Sequence, residues 1–338
     1  MTMEVSHCSE IDDVVRHDSE SLAWEKQPVP SIAELAALQQ VRQQPLNIIT
    51  VSQNGSCKGM AICSVEHAER VHGIRNLKVM RMFGYDLFDY SAIHAKNDAA
   101  LKSLLNELGA EAKRAGADLI LLSNLVNPAT HPDMLIKESC STHLFDADHS
   151  DTGFDWLLKK KSLRRHWNKM RRELDYRCEH FRGNDPGFFR ELEALAPLHI
   201  SRWAHDGVES AFIDPLRIQE YAAAPENKLI TVIKDGDTIV ATHFGIIFDD
   251  VLLWHTPVVN VDYFNYSPLE ALLFETAELC KSEEIRVLDF GLGDEAYKNR
   301  FSNESRPLTE IFVPISWKGR LCALLKGMVS WQRKSRCV

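Results

Sequence analysis

The sequence lacks several things that would settle its class at once. It has no C-x-x-C pair, and none of its eight cysteines, at 8, 57, 63, 140, 178, 280, 322 and 337, stands at metal-ligand spacing from a histidine. That usage fits reduced, mostly buried thiols in a cytoplasm, and no metal cofactor is expected. Its longest apolar runs, such as Asp118-Leu119-Ile120-Leu121-Leu122, are strand-sized, far short of the roughly 20 residues that cross a bilayer. A secretory leader would need a basic start and an apolar run. Met1 to Glu25 instead carries Glu4, Glu10, Asp12, Asp13 and Asp18, so no export is expected. Positive charge is also in deficit. A formal net charge of -9 over 338 residues argues against a surface devoted to nucleic acid, leaving only local basic stripes to weigh.

The chain exceeds what one domain usually takes, which points to two. An internal repeat supports this. Ile49-Thr50-Val51 is followed by Asn54-Gly55, and Ile230-Thr231-Val232 by Asp235-Gly236 at the same offset. Such dipeptides between apolar runs mark tight hairpins, because both residues tolerate positive φ. Each hairpin is followed by a third strand (76–83 and 250–259), an amphipathic helix (98–115 and 268–282) and a short buried strand (119–122 and 287–290). The order is β-β-β-α-β twice, with an insertion in the first copy around His67 to Gly73. The expected organisation is a tail (1–27), a first domain (28–152), a second domain (153–316) and a basic C-terminal helix (317–338).

Between the copies, Leu163, Trp167, Met170 and Leu174 form one apolar helical stripe on a helix otherwise rich in Lys and Arg from Lys159 to Arg172. The stripe predicts packing between the two copies. A second helix is expected from Phe188 to Ala204, kinked at Pro197, and a third near Pro215 to Ala223 with Asp214 as N-cap.

Chemistry-bearing residues concentrate after the third strand of the second copy. Ser267-Pro268 forms an N-cap and first-turn pair, and a helix N-terminus suits an anion such as a diphosphate. The final strand exits through Asp289-Phe290-Gly291-Leu292-Gly293-Asp294, then Tyr297-Lys298. Two glycines there imply positive φ or close backbone approach. The pattern is too short for a dinucleotide fingerprint.

The stretch Asp289-Phe290-Gly291-Leu292-Gly293-Asp294-Glu295-Ala296-Tyr297-Lys298-Asn299-Arg300-Phe301 resembles the D-F-G-x-G-x-x-x-Y-K-x-x-F signature of a branch of the GNAT superfamily, the CelD-like acetyltransferases associated with cellulose biosynthesis. Ser162-Leu163-Arg164-Arg165 through Met170-Arg171-Arg172, Leu198-His199-Ile200-Ser201-Arg202-Trp203 with Gly207, and Ser267-Pro268 support the likeness. The resemblance implies tandem GNAT-like domains, each an α/β unit with a mixed, mostly antiparallel sheet flanked by helices. The first would be degenerate and the second an acyl-CoA-dependent N-acyltransferase. One departure is Leu269, where the branch tends to carry glycine; a side chain there would narrow the approach of CoA to the backbone.

Acyl transfer to an amine needs the amine neutral, although an alkyl ammonium has a pKa near 10.4. A general base and an acid for the leaving thiolate suffice once the reactants are held together. His255 is the candidate base, with Asp289 as orienting partner or substitute. Tyr297 stands where the family places the thiolate's acid, and Lys298 is a charge partner for Asp289, a phosphate or an acceptor anion. Acetyl-CoA or another acyl-CoA would lie along Thr256, Val258 and Val259, with its diphosphate at Ser267, Pro268, Leu269 and Glu270. The acceptor, a small-molecule or glycan amine such as an amino sugar or amino-acid-derived group, would meet His199, Arg202, Trp203 and His243. Phe83 to Tyr90 of the first copy could add acceptor contacts.

Two other functions fit parts of the sequence. Fem-type peptidyltransferases pair two GNAT-like domains and use aminoacyl-tRNA, which the basic helix 159–172 could serve. A non-catalytic scaffold in polysaccharide assembly would explain Leu269. The C-terminal segment Lys318 to Arg336 is basic without acids and interleaved with Leu321, Leu324, Leu325, Met328 and Trp331. A packed terminal helix with a solvated basic face is expected there, with an anionic membrane surface as the alternative.

Overall fold

The computed structural model describes residues 3–11, 29–71, 73–126 and 135–334, without the side chains of 135–139 and 327–334. Most of the expected tail, Asn127-Pro128 and the side chains of Met328, Trp331 and Arg336 therefore lie outside the described residues. In chain order the elements are β1 (Glu4–Cys8), α1 (Ile32–Arg42), β2 (Asn47–Gln53), β3 (Ser56–Val71), β4 (Ile74–Met82), β5 (His94–Ala95), α2 (Asp98–Arg114), β6 (Leu119–Leu125) and β7 (Leu135–Asp146). There follow α3 (Asp155–Leu158), α4 (Lys161–Glu173), β8 (Tyr176–Arg182), α5 (Phe188–His205), α6 (Leu216–Ala222), β9 (Lys228–Asp235), β10 (Thr238–Phe248) and β11 (Val251–Val259). The last are α7 (Pro268–Ser282), β12 (Val287–Leu292), α8 (Ala296–Phe301), β13 (Glu304–Pro314) and α9 (Trp317–Lys334).

The chain divides into two compact units, Met1–Cys140 with Pro307–Val338, and Ser141–Arg306. These borders differ from the expected 152/153 and 316/317 for a reason of strand pairing. Thr142 to Asp146 of β7 pair with β12 of the second unit, whereas Thr309 to Pro314 of β13 pair with β6 of the first.

The repeated β-β-β-α-β order is present in both units, as β2-β3-β4-α2-β6 and β9-β10-β11-α7-β12. The first hairpin turns through Asn54 and Gly55, with φ of 54° and 72°, and the second through Gly236 at 56°. The extra length of the first copy lies in its second hairpin: β3 and β4 stay paired as far as Val71↔Ile74. In each unit the third and last strands of the repeat are parallel, and the other named pairings are antiparallel.

The core of the first unit packs α2, through Leu104, Leu105 and Leu108, on Ile49, Val51, Met80, Ile120 and Ile311. Phe83, Leu87, Phe88 and Tyr90 are also buried, so this aromatic stretch is interior structure and not an acceptor surface. Helix α9 packs through Cys322 and Ala323 on Val79, Leu121 and Phe312. Trp317, Leu321 and Leu324 face solvent, so its open side is apolar as well as basic.

In the second unit α4 packs on α7. Leu163 and Met170 are fully buried, and Trp167 stacks on Phe274 with ring centroids 4.4 Å apart. The apolar stripe thus covers α7 of its own unit, where an inter-copy position was expected. Helix α5 runs unbroken through Pro197, and the Leu216 N–H donates to Asp214 Oδ1 at 2.9 Å, the expected cap.

Candidate active site

In the second unit two parallel strands pair only briefly before they part. β11 and β12 pair only at Val251↔Val287, Leu252↔Leu288 and Leu253↔Asp289, yet β11 runs on to Val259 and β12 to Leu292. On its other side β11 carries a bulge. Phe244 faces Thr256 and Ile246 faces Leu253, so Trp254 and His255 stand opposite Gly245 alone. A bulge bends its strand and re-aims side chains. Glycine is needed at 245, since a Cβ there would lie 2.6 Å from His243 Cε1 and 2.9 Å from Leu252 Cδ1. The outcome is a strand that leaves its parallel neighbour, and among the described residues the edge of 254–259 toward β12 has no strand partner.

The N-terminus of α7 follows directly. Val261–Tyr266 forms a 3-10 turn, and Ser267 adopts left-handed φ 54° and ψ 58° with no side-chain capping bond. The side chain therefore does not cap, contrary to the expectation for a Ser-Pro start, and strain of roughly 1–3 kcal/mol is held there. Leu269 turns its side chain onto the core, so it does not fill the space outside the loop. Glu270 Oε1 accepts from Arg300 Nη2 at 3.0 Å, which offsets a carboxylate at an anion-favouring helix end. Arg165, Lys169 and Arg300 are close enough to act on His166, whose pKa is lowered by burial and by these charges against the opposing pull of Glu270. Lys169 Nζ donates to the Asn265 carbonyl just before α7 and Arg300 pairs with Glu270 in its first turn, so two cations stand at the start of α7.

His255 is half-buried on the bulge. Its Nδ1 lies 2.7 Å from Thr256 Oγ1, which is 3.0 Å from the Tyr221 hydroxyl. Tyr221, on α6, also meets the His255 ring edge-on at 5.5 Å. Thr256 and Val258 are buried and Val259 packs on the core, so a ligand along β11 would meet backbone more than these side chains.

Asp289 is buried, accepting from Gly291 N–H at 2.9 Å, with the Thr142 hydroxyl 2.8 Å away. Gly291 and Gly293 have φ of 70° and 113°, as their place at the strand exit implied. Tyr297 lies edge-on to Phe290 at 6.2 Å. Lys298 is not a surface lysine: it is buried, pairs with Glu295 at 3.0 Å and donates to the Leu292 carbonyl. That pairing corrects its assignment as the charge partner of Asp289.

The expected acceptor residues separate. His243 is fully buried and stacked on Trp254 at 4.1 Å, its pKa lowered to about 3 chiefly by burial, so it is a core residue without access to an acceptor. His199 is buried against Trp203 at 3.9 Å and bonded to Ser210 at 2.7 Å, with burial lowering its pKa to about 4. Arg202 pairs with Asp206 at 2.5 Å and lies over Phe264 at 5.3 Å. Trp203 and Arg202 keep partial exposure. Sequence reasoning missed Tyr221, Thr142 and Glu295, whose roles arise from pairing between distant segments and carry no local signal.

Residues 159–299 match the family described as acetyltransferase (GNAT) domain. This stretch is similar to a GNAT domain. It holds the bulged strand, the uncapped helix start and the glycine-rich strand exit. Solved structures share the fold over nearly the whole chain. FemX matches at 12% identity and TM-score 0.63, covering 95% of this chain and 99% of that one. The C-terminal domain of a putative lysylphosphatidylglycerol synthetase from Agrobacterium fabrum matches at 10% and 0.59, covering 95% and 98%. A tandem GNAT protein from the clavulanic acid biosynthesis pathway matches at 11% and 0.54, covering 93% and 99%. At such identities the likeness establishes the fold, a mixed α/β architecture of the tandem GNAT type. No curated protein matches the sequence. No helix among the described residues is long and apolar enough to cross a membrane.

Proposed function

We propose that the second unit transfers an acyl group, in the simplest case acetyl, from acyl-CoA to an amine. The observation that carries this reading is the parting of β11 from β12 beyond Leu253↔Asp289, with the start of α7 at the same end of β11. The open edge of 254–259 offers backbone groups to a pantetheine amide chain. The helix start, with Arg165, Lys169 and Arg300, offers positive potential to a diphosphate. Leu269 fits this use because its side chain points to the core.

His255 takes the proton of the ammonium acceptor. In the tautomer whose Nδ1–H donates to Thr256, Nε2 holds the lone pair, and Tyr221 and Thr256 fix the ring. The amine nitrogen bonds to the thioester carbonyl carbon, the C–S bond breaks, Tyr297 gives its proton to the departing sulfur, and the proton shed by the acylated nitrogen restores the tyrosine. The acceptor is an amino sugar or amino-acid-derived amine near Arg202 and Trp203, in keeping with the resemblance to the CelD-like branch and a cytoplasmic setting.

The basic face of α4 favours a second reading, in which aminoacyl-tRNA is the donor. Nuclease-treated protein with acetyl-CoA as the only donor separates the two. Acetylation of amines from a small panel supports the first reading. Activity lost on nuclease treatment and restored by charged tRNA replaces it with the second.

A further inference from the structure

Outside the cleft, β8 and α7 bring three metal-ligand side chains together. Cys178 and His180 lie two residues apart on one face of β8, and Glu275 reaches them from α7. One donor atom from each lies within 4.8 Å of the others. None of the three belongs to β11, β12 or the first turn of α7.

Glu275 is the informative member. Trp167 Nε1–H and the Tyr176 hydroxyl both donate to its Oε1, at 2.7 and 2.6 Å, and the Cys178 thiol is hydrogen-bonded to the same carboxylate. Among the described residues no lysine or arginine pairs with it. A half-buried carboxylate with only neutral donors and a thiol beside it lacks a compensating cation. The second cluster of this kind, Asp146, His149 and Glu304, is different. Arg286 holds Asp146 at 2.8 Å and Arg306 holds Glu304 at 2.7 Å, so its charges are already met.

The surroundings of Cys178, His180 and Glu275 also look like those of ligands. Metal-binding side chains are oriented by hydrogen bonds from groups behind them. Here Trp167 and Tyr176 fix the carboxylate, and Thr231 Oγ1 fixes the His180 ring through Nδ1 at 3.0 Å.

We propose that Cys178, His180 and Glu275 form a site for a zinc-type divalent cation. Thiolate, imidazole and carboxylate together favour zinc over magnesium or calcium, which take oxygen ligands. Binding replaces the thiol proton, released to solvent, by a metal–sulfur bond. Thiolate and carboxylate then balance the two positive charges. His180 is exposed, so the fourth position opens to water. The ion ties the edge strand β8 to α7.

The test uses the whole chain, loaded with zinc or cobalt(II) and desalted. One equivalent of zinc retained, and a thiolate-to-cobalt charge-transfer band, are expected. Both should be lost in Cys178→Ser and His180→Ala. Tyr176→Phe keeps the packing and removes one orienting bond, and should weaken zinc binding about 10- to 100-fold. Absence of the cobalt–thiolate band in the unmodified chain overturns the site, as does a band that persists in Cys178→Ser.

Discussion

Each unit contains a parallel strand pair that meets briefly and then parts, and among the described residues the chain closes back over one of the two openings. In the first unit β4 and β6 pair at Val79↔Leu119 and Met80↔Ile120. The chain leaving β4 then folds back. Phe83, Leu87, Phe88 and Tyr90 are buried, the Ser91 N–H donates to the Asn124 carbonyl, and the Ser91 carbonyl accepts from Val126 N–H. The exposed edge of β6 is thereby occupied by its own unit. In the second unit β11 leads through one 3-10 turn straight into α7, and among the described residues no strand pairs with the 254–259 edge on the β12 side.

The helix starts differ in the same sense. Asn97 caps α2 by accepting from Ala100 N–H at 2.9 Å, whereas Ser267 is left-handed and makes no such bond. One copy satisfies its strand edge and helix end internally, and in the proposed function the other leaves both to a ligand.

Chemistry should break this comparison most visibly. Tyr297→Phe removes a proton donor and keeps the ring that packs on Phe290. We expect the chemical step to fall about 100- to 10000-fold with CoA affinity nearly unchanged. Single-turnover rates at saturating acetyl-CoA equal to those of the unmodified protein would remove Tyr297 from the mechanism.

The bulge is the next point of attack. Gly245→Ala places a Cβ within 3 Å of the His243 ring and Leu252, so the core must shift, at about 1–3 kcal/mol. Chemical denaturation measures this loss. An unchanged midpoint would mean that the bulge accommodates a side chain and does not depend on glycine.

Acid should act on the same region through histidines that fold neutral. Burial lowers the pKa of His243 to about 3 and of His199 to about 4, from 6.5. Below pH 6.5 the unfolded chain binds protons that the folded chain refuses, so stability is complete above that value and declines as pH falls toward 4. His94 in the first unit, lowered to about 4, contributes with the same sign. Denaturation midpoints measured across this window should drop with pH, and His199→Phe should flatten the slope. A slope unaffected by that substitution would show that other groups govern acid sensitivity.

Local signals made the repeat readable. Asn54-Gly55 and Asp235-Gly236 announced hairpins because positive φ is a property of single residues, and the helices announced themselves by apolar spacing. Gly291 and Gly293 marked the strand exit for the same reason. The bulge at Trp254 and His255 was not readable, since it is defined by the register of β10 against β11. Lys298 read as a charge partner for Asp289, a phosphate or an acceptor anion, because its actual partners, Glu295 and the Leu292 carbonyl, are assigned by the turn and not by spacing. The pairing of β13 with β6 joins segments nearly two hundred residues apart. The grouping of Cys178, His180 and Glu275 was not readable either, because its third member lies on another element and only folding brings the group together.

The smallest expected effect is also the most direct test of the two helix starts. Asn97→Ala deletes a cap that satisfies the Ala100 N–H, a loss of about 1 kcal/mol by the usual behaviour of N-caps. Ser267→Ala deletes no capping bond, so stability should change by less than ~0.5 kcal/mol. If the second helix start is kept for a ligand, added CoA should raise the melting temperature of the chain, and by a similar margin in the Asn97→Ala variant. Ser267→Pro would fix φ near -65°, incompatible with the left-handed turn. That variant should lose the CoA-dependent shift. A shift retained in Ser267→Pro would place the ligand elsewhere, and the comparison between the copies would then rest on the strand opening alone.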